Sequence, residues 1–191
     1  MGRSRGASGC RSALDYCMRL LSRRQYSSRE LEMKLRKRGY GEQAIAETIA
    51  RLKELDLVND YRLAADVVRS AIERRNRGRH ALIAEMKRLM LPEECIRGAI
   101  MVFDEGVEAE IATELMRKWL GERKLSNETD GAMSDENKKL KRRMMERLLR
   151  RGFSVKSIAL AFNHMGWRFF EGSEWIHEHS PSQAPTRDEP T

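Results

Sequence analysis

One segment pattern occurs three times along the 191 residues. The first copy is Leu35-Arg36-Lys37-Arg38-Gly39-Tyr40, followed by Ile45 and Ile49. The second is Met86-Lys87-Arg88-Leu89-Met90-Leu91, followed by Ile96 and Ile100. The third is Leu148-Leu149-Arg150-Arg151-Gly152-Phe153, followed by Ile158 and Phe162. Each copy has an apolar residue, a basic stretch, a bulky apolar residue at a turn, and two apolar residues four apart. Residues four apart share one face of a helix. Self-similarity at a period of about 50 residues is the signature of a helical repeat array. One such unit is too small to bury much surface, so neighbouring units cover each other and build an extended stack.

Helical periodicity runs through most of the chain. Leu14, Cys17, Met18 and Leu21 fall on one face. Ser27-Ser28-Arg29-Glu30 reads as a capping box, with Ser27 accepting from the backbone and Glu30 reaching back. Gly39 suits the left-handed turn that ends a helix. Ile45, Ile49 and Leu52 define a third helix, and Asn59 or Asp60 can cap the next. Leu63, Val67, Ala71 and Arg74 line one side of that helix. Arg75-Asn76-Arg77-Gly78-Arg79-His80 breaks the apolar pattern and reads as a basic turn. Leu82, Met86 and Leu89 mark another helix, and Pro92 suits the first turn of the one carrying Cys95, Ile96, Ala99, Ile100 and Phe103. Val107, Ile111, Leu115 and Trp119 form the next, with Trp119 and Trp167 read as core. Leu140, Met144 and Leu148, then Val155, Ile158 and Phe162, complete the series. No segment sustains strand alternation.

The expected architecture is all-α: three tandem three-helix repeats, resembling helix-turn-helix units, stacked into an elongated, curved solenoid. The expected divisions are a disordered basic N-terminus over 1–12, repeats over 13–59, 60–105 and 106–167, a polar insertion near 121–137, and a loose tail over 168–191.

The chain has 37 Lys and Arg against 29 Asp and Glu, a formal charge of +8. That excess calls for an anionic partner, a nucleic acid or a protein assembly carrying one. The basic clusters recur at one register: Arg36-Lys37-Arg38, Lys87-Arg88 and Arg150-Arg151. Arg74, Arg75, Arg77 and Arg79, with Lys138, Lys139, Arg142 and Arg143, extend the set. Aligned along one side of a stack, they match the phosphates of an extended strand or acidic patches along a polymeric protein. Nothing in the pattern supports base-specific readout.

Catalytic constellations are lacking. There is no GxxxxGK[ST] phosphate loop and no GxSxG elbow. Asp56, Asp60 and Asp66 read as caps and exposed faces, not as a metal cluster. His164, His177 and His179 fall in or near the tail and read as solvated. Cys10, Cys17 and Cys95 form no metal spacing and read as reduced thiols of a cytosolic protein. No apolar run is long enough for a bilayer, and residues 1–12 lack a signal core. The expectations are therefore no enzymatic activity, no cofactor, no membrane partner, a cytoplasmic location and a monomer.

The segment Ala13–Asp60 resembles the start of the RecX family, regulators of the RecA recombinase. The residues that carry the likeness are Ala13-Leu14, Leu20-Leu21-Ser22-Arg23-Arg24, Ser28-Arg29-Glu30-Leu31, Lys34-Leu35 and Lys37-Arg38-Gly39-Tyr40. Ile45, Ile49-Ala50-Arg51-Leu52 and Leu57-Val58-Asn59-Asp60 continue it. Tyr61-Arg62-Leu63-Ala64 and Val68-Arg69-Ser70 resemble the second unit of the family, and Arg150-Arg151-Gly152-Phe153 the third. The sequence departs from the family at Ala71, at Arg79-His80 and at Met90-Leu91. The resemblance implies three tandem three-helix units that lie in the groove of RecA filaments on single-stranded DNA. It implies that they suppress ATP hydrolysis, strand exchange and filament growth. A stand-alone helical DNA-binding regulator is the alternative reading, with residues 42–55 as its recognition helix.

Overall fold

The structure, a computed structural model, describes residues 12–74, 76–121 and 135–167. Within them the chain forms α1 (Ala13–Leu21), α2 (Ser28–Lys37), α3 (Glu42–Glu54), α4 (Asp60–Arg74), α5 (Arg79–Arg88), α6 (Glu93–Val102), α7 (Glu105–Leu120), α8 (Asp135–Arg150) and α9 (Val155–His164). No strand occurs among the described residues. The helices group in threes: α1 and α2 pack on α3, α4 and α5 on α6, α7 and α8 on α9.

The repeated pattern is a helix-ending device. In each unit the second helix closes through the same pair of backbone bonds. The N–H of Gly39, Met90 and Gly152 donates to the carbonyl three residues back, at 2.9 Å each. The N–H of Tyr40, Leu91 and Phe153 donates five residues back to Leu35, Met86 and Leu148, at 3.3, 3.1 and 3.2 Å. This is a Schellman closure, whose pivot must adopt a positive φ. Gly39 and Gly152 do so at 85° and 81°, and Met90 does so at 57° despite its side chain. The accepting residues Leu35, Met86 and Leu148 are all fully buried, as are Ile45, Ile96 and Ile158 to within 3% exposure. The turn thus fixes the angle at which the third helix folds back and places two apolar anchors against it.

Several inward faces differ from the periodicity. Met18 is 45% exposed and Val155 38%, although both sit in apolar stripes. Val155 opens α9, and the buried position one turn on belongs to Ile158 beside the buried Ser157. Trp119 is only half-buried, while Trp167 is buried against Phe162. Arg79 and His80 begin α5 and are not turn residues, because Gly78 is the N-cap. Residues 135–137 belong to α8, so the polar segment that leads into it ends sooner than its composition indicates. Residues 1–11, 122–134 and 168–191, with Cys10, Arg75, Trp175, His177 and His179, lie outside the described residues.

The units join at two junctions built alike. At the first, Ser28 donates through its N–H (2.9 Å) and hydroxyl (2.5 Å) to the carboxylate of Asp60, the first residue of α4. Ser27 Oγ donates to the carbonyl of Leu89 at the end of α5. At the second, the Arg79 N–H donates to Glu108 Oε1 in the first turns of α7, at 2.7 Å. Gly78 N–H donates to the carbonyl of Arg151 (3.0 Å) and His80 N–H to that of Gly152 (2.8 Å), at the end of α8. In repeat register, Gly78 stands where Ser27 does, and Arg151 where Leu89 does. The second junction is tighter because a backbone donor replaces a side chain. A Cβ on Gly78 would lie 2.2 Å from Phe153 Cα, and one on Gly152 would lie 2.4 Å from Ala81 N. Glu108 is fully buried and also takes Ser154 N–H, Ser154 Oγ and Ser157 Oγ at 3.0, 2.9 and 2.7 Å.

The apolar core divides accordingly. Ala13 to Val58 form one cluster, and Leu63 to Trp167 form another that spans both later units. The two glycine pivots therefore respond differently to alanine. Gly39→Ala meets no atom within 4 Å and is expected to cost only the left-handed strain, about 1–2 kcal/mol. Gly152→Ala and Gly78→Ala force backbone apart and are expected to cost several times more, read by chemical denaturation. Equal losses at all three positions would contradict the junction geometry.

Candidate polyanion-binding surface

The two junctions arrange the second helices end to end. The start of α2 meets the end of α5, and the start of α5 meets the end of α8. Each basic cluster sits at a C-terminus on this line, where cations also favour the helix dipole. Lys87 and Arg88 are therefore separated from Arg36, Lys37 and Arg38 by the length of α2. A ten-residue helix spans about 15 Å. Arg150 and Arg151 are one α5 length further along. The junctions thus turn a recurrence in sequence into a spaced series in space.

The candidate cations differ in what they touch. Lys37, Arg74, Lys87, Arg88, Lys139, Arg143 and Arg150 are exposed and enter no ion pair among the described residues. Arg36 is held by Glu42 through two bonds, at 2.7 and 2.9 Å, with Glu32 3.8 Å away. Hydrogen bonding to Arg36 holds the Glu42 carboxyl below its ordinary range. Arg38 lies 4.5 Å over the ring of Tyr16 and Arg151 5.3 Å over that of Trp119. Lys138 pairs with Asp135 and Arg142 with Glu146. Arg77 pairs with Glu85. Arg79 is drawn into the second junction, donating through its side chain to the carbonyl of Phe103 at 3.3 Å. It links α5 to the end of α6 and is only half-exposed.

Sequence reasoning read Asp60 as a cap of the helix it opens and did not single out Glu108, yet these two carboxylates hold the junctions that space the cations. Asp60 is not a cap of its own helix. Asn59 caps α4 by accepting from Arg62 N–H at 3.0 Å. Asp56 instead pairs with Arg62 and Asp66 with Arg69, so the three aspartates have separate tasks. In the capping box, Ser27 Oγ accepts from Glu30 N–H. Glu30 itself binds Arg24 through both oxygens rather than reaching back.

Other chemistry finds little footing among the described residues. No group of three or more His, Cys, Asp and Glu could hold a metal ion. Burial pushes the Cys17 thiol up to about 11 and raises Cys95 also, which leaves both as protonated apolar side chains. A cleft of about 230 Å³ beside α4 and α5 is lined by residues that include Asp66, Arg74, Asn76, Arg77 and Glu85. Among the described residues no helix is long and apolar enough to cross a membrane.

The fold defines a tandem three-helix-repeat scaffold, and comparison with known proteins names the group. A family model for the first three-helix domain of RecX matches residues 13–52. The regulatory protein RecX of Mycobacterium sp. (strain JLS) is 39% identical over 145 residues, covering 76% of each chain. That of Chlorobaculum tepidum is 36% identical over 147 residues, 77% of this chain and 84% of its own. The crystal structure of RecX from Lactobacillus salivarius superposes with a TM-score of 0.67 over 81% of this chain and 94% of its own, at 21% identity. The chain belongs to the RecX family of regulatory proteins.

Pairing to Glu42 withholds one cation from any anionic partner. Glu42→Gln is expected to tighten binding of a nucleic acid strand and steepen its salt dependence by about 0.7 per phosphate gained. Acidification should act in the same direction in the wild type. As pH falls through the depressed Glu42 pKa, the carboxylate is neutralised and Arg36 is released. Titration against salt at two pH values checks this, and an unchanged slope in the variant would contradict it.

Proposed function

We propose that this protein regulates RecA by binding along RecA filaments on single-stranded DNA and suppressing ATP hydrolysis and strand exchange. It would act without catalysis of its own, as a monomer in the cytoplasm. The observation that carries the reading is the end-to-end line of α2, α5 and α8 with unpaired cations at its successive C-termini, in a chain of the RecX family. A regular series of charges suits a polymeric partner with regularly repeated acidic groups. It gives an isolated small ligand nothing to gain from the repetition. Single-stranded DNA alone would be held weakly and without regard to sequence.

The stand-alone DNA-reader alternative gains no support from α3. Its exposed side carries Glu47 bonded to Gln43 and Arg51 paired with Glu54, beside Glu42 on Arg36. A recognition helix needs an electropositive approach to the phosphates flanking the groove. α3 presents the carboxylates Glu42 and Glu47 and the internally paired Arg51–Glu54 instead.

Purified protein added to RecA on single-stranded DNA is expected to lower the rate of ATP hydrolysis. Replacing Lys37, Lys87, Arg88 and Arg150 together by Gln is expected to weaken this effect at least tenfold in concentration. The substitutions are exposed, so each should shift stability by no more than about 0.5 kcal/mol. No effect of the wild type at any ratio, with no association to filaments, would refute the reading. Full potency of the quadruple variant would refute the assignment of the surface.

A further inference from the structure

We propose that Trp119, Arg147 and Arg151 form a stacking platform for an unstacked base of a single nucleic acid strand. Arg147 lies 4.1 Å and Arg151 5.3 Å over the Trp119 ring. The indole comes from α7 and is half-buried, so its position is fixed by the core beneath it. The arginines come from the last turn of α8 and its cap, at the end of the cationic line. Arg147 is exposed, so its side chain is open to solvent.

Neutralisation separates this cluster from the cation–ring contacts at Tyr26. Arg24 lies 3.7 Å over Tyr26, but the Glu30 carboxylate binds it through two bonds. Its charge is spent within the fold. Arg147 and Arg151, with Arg150 between them, enter no ion pair among the described residues. Both guanidinium groups lie within 5.3 Å of one ring centroid while their charge stays uncompensated.

The arrangement recurs. In the first unit Arg38 lies over Tyr16, again a second-helix terminus over a first-helix ring. Arg38 and Arg151 occupy equivalent register positions, two residues before Tyr40 and Phe153. The middle unit has Leu89 there. The platforms thus stand at the two ends of the line, about 30 Å apart if measured along α5 and α2. At 3.4 Å per nucleotide of stacked strand, that span is roughly nine nucleotides.

Bases stack on aromatic faces and on guanidinium planes, and every base has such a face, so the contact is tolerant of sequence. The ring orients the guanidinium, the guanidinium receives the base, and its edge N–H groups are left for the adjoining phosphates. A lysine keeps the charge but has no plane.

The inference deepens the filament-regulator reading and rests on it for the identity of the strand. Its test uses bare single strands without recombinase, so the two fail separately. Binding of a labelled single-stranded oligonucleotide of about twenty nucleotides, a length well beyond the inter-platform span, is measured by anisotropy at fixed salt. Inorganic polyphosphate, which offers charge without bases, is measured in parallel by competition. Arg147→Lys is expected to weaken the oligonucleotide about fivefold or more, while polyphosphate stays within about twofold. Arg147→Gln is expected to weaken both. Both variants are at an exposed position, and unchanged thermal midpoints confirm that the fold is intact. Wild-type affinity for the oligonucleotide in Arg147→Lys would overturn the proposal, as would equal loss for both ligands or no binding of the strand by the wild type.

Discussion

Two buried carboxylates hold this molecule in its shape. Glu108 is fully enclosed and accepts hydrogen bonds from the starts of two helices, α5 and α9. Asp60 does the same for the start of α2 across the other junction. A carboxylate at a helix N-terminus is favoured by the dipole and by otherwise unpaired N–H groups. Here the carboxylate belongs to the neighbouring unit, so capping a helix and joining two repeats are one interaction. Its removal would strand several buried donors, each at about 1–3 kcal/mol.

The strength of the two joints differs, and the division of the core follows it. The second and third units share one apolar cluster and a backbone-to-backbone junction that only glycine permits. The first unit has a cluster of its own and is linked through two serines, by both hydroxyls and one backbone N–H. The later units therefore form one body, and the first is attached by a polar seam. Both seams run the second helices head to tail, and this turns the clusters at Arg36, Lys87 and Arg150 into a series at one-helix intervals. The surface depends on the joints and not only on the presence of the cations.

The repeat, the helix ends and the apolar anchors were legible in the sequence because they obey local rules. Leu35, Met86 and Leu148 recur at one place relative to a turn, and burial at that place follows from helix period. The exposed Met18 and Val155 were not legible, since periodicity gives a face but not how far the neighbouring helix extends over it. Asp60 and Glu108 were hidden for a stronger reason. An acidic residue in a first turn is ordinarily solvated, and only tertiary structure brings another unit's N–H groups to it. Arg79 was misplaced for the same cause: next to Gly78 it looks like a basic turn, yet the junction recruits its backbone and side chain. Met90 in a glycine position shows the tertiary fold overriding a local preference, because the third helix of that unit must return at the same angle as the others.

Amide hydrogen exchange on full-length Glu108→Ala tests the joint most directly. Protection is expected to fall together in the first turns of α5 and α9, which share no sequence neighbourhood, while α2 and α3 keep theirs. Unchanged protection at both sites, or a loss spread evenly over the described helices, would show that the buried carboxylate does not join the units.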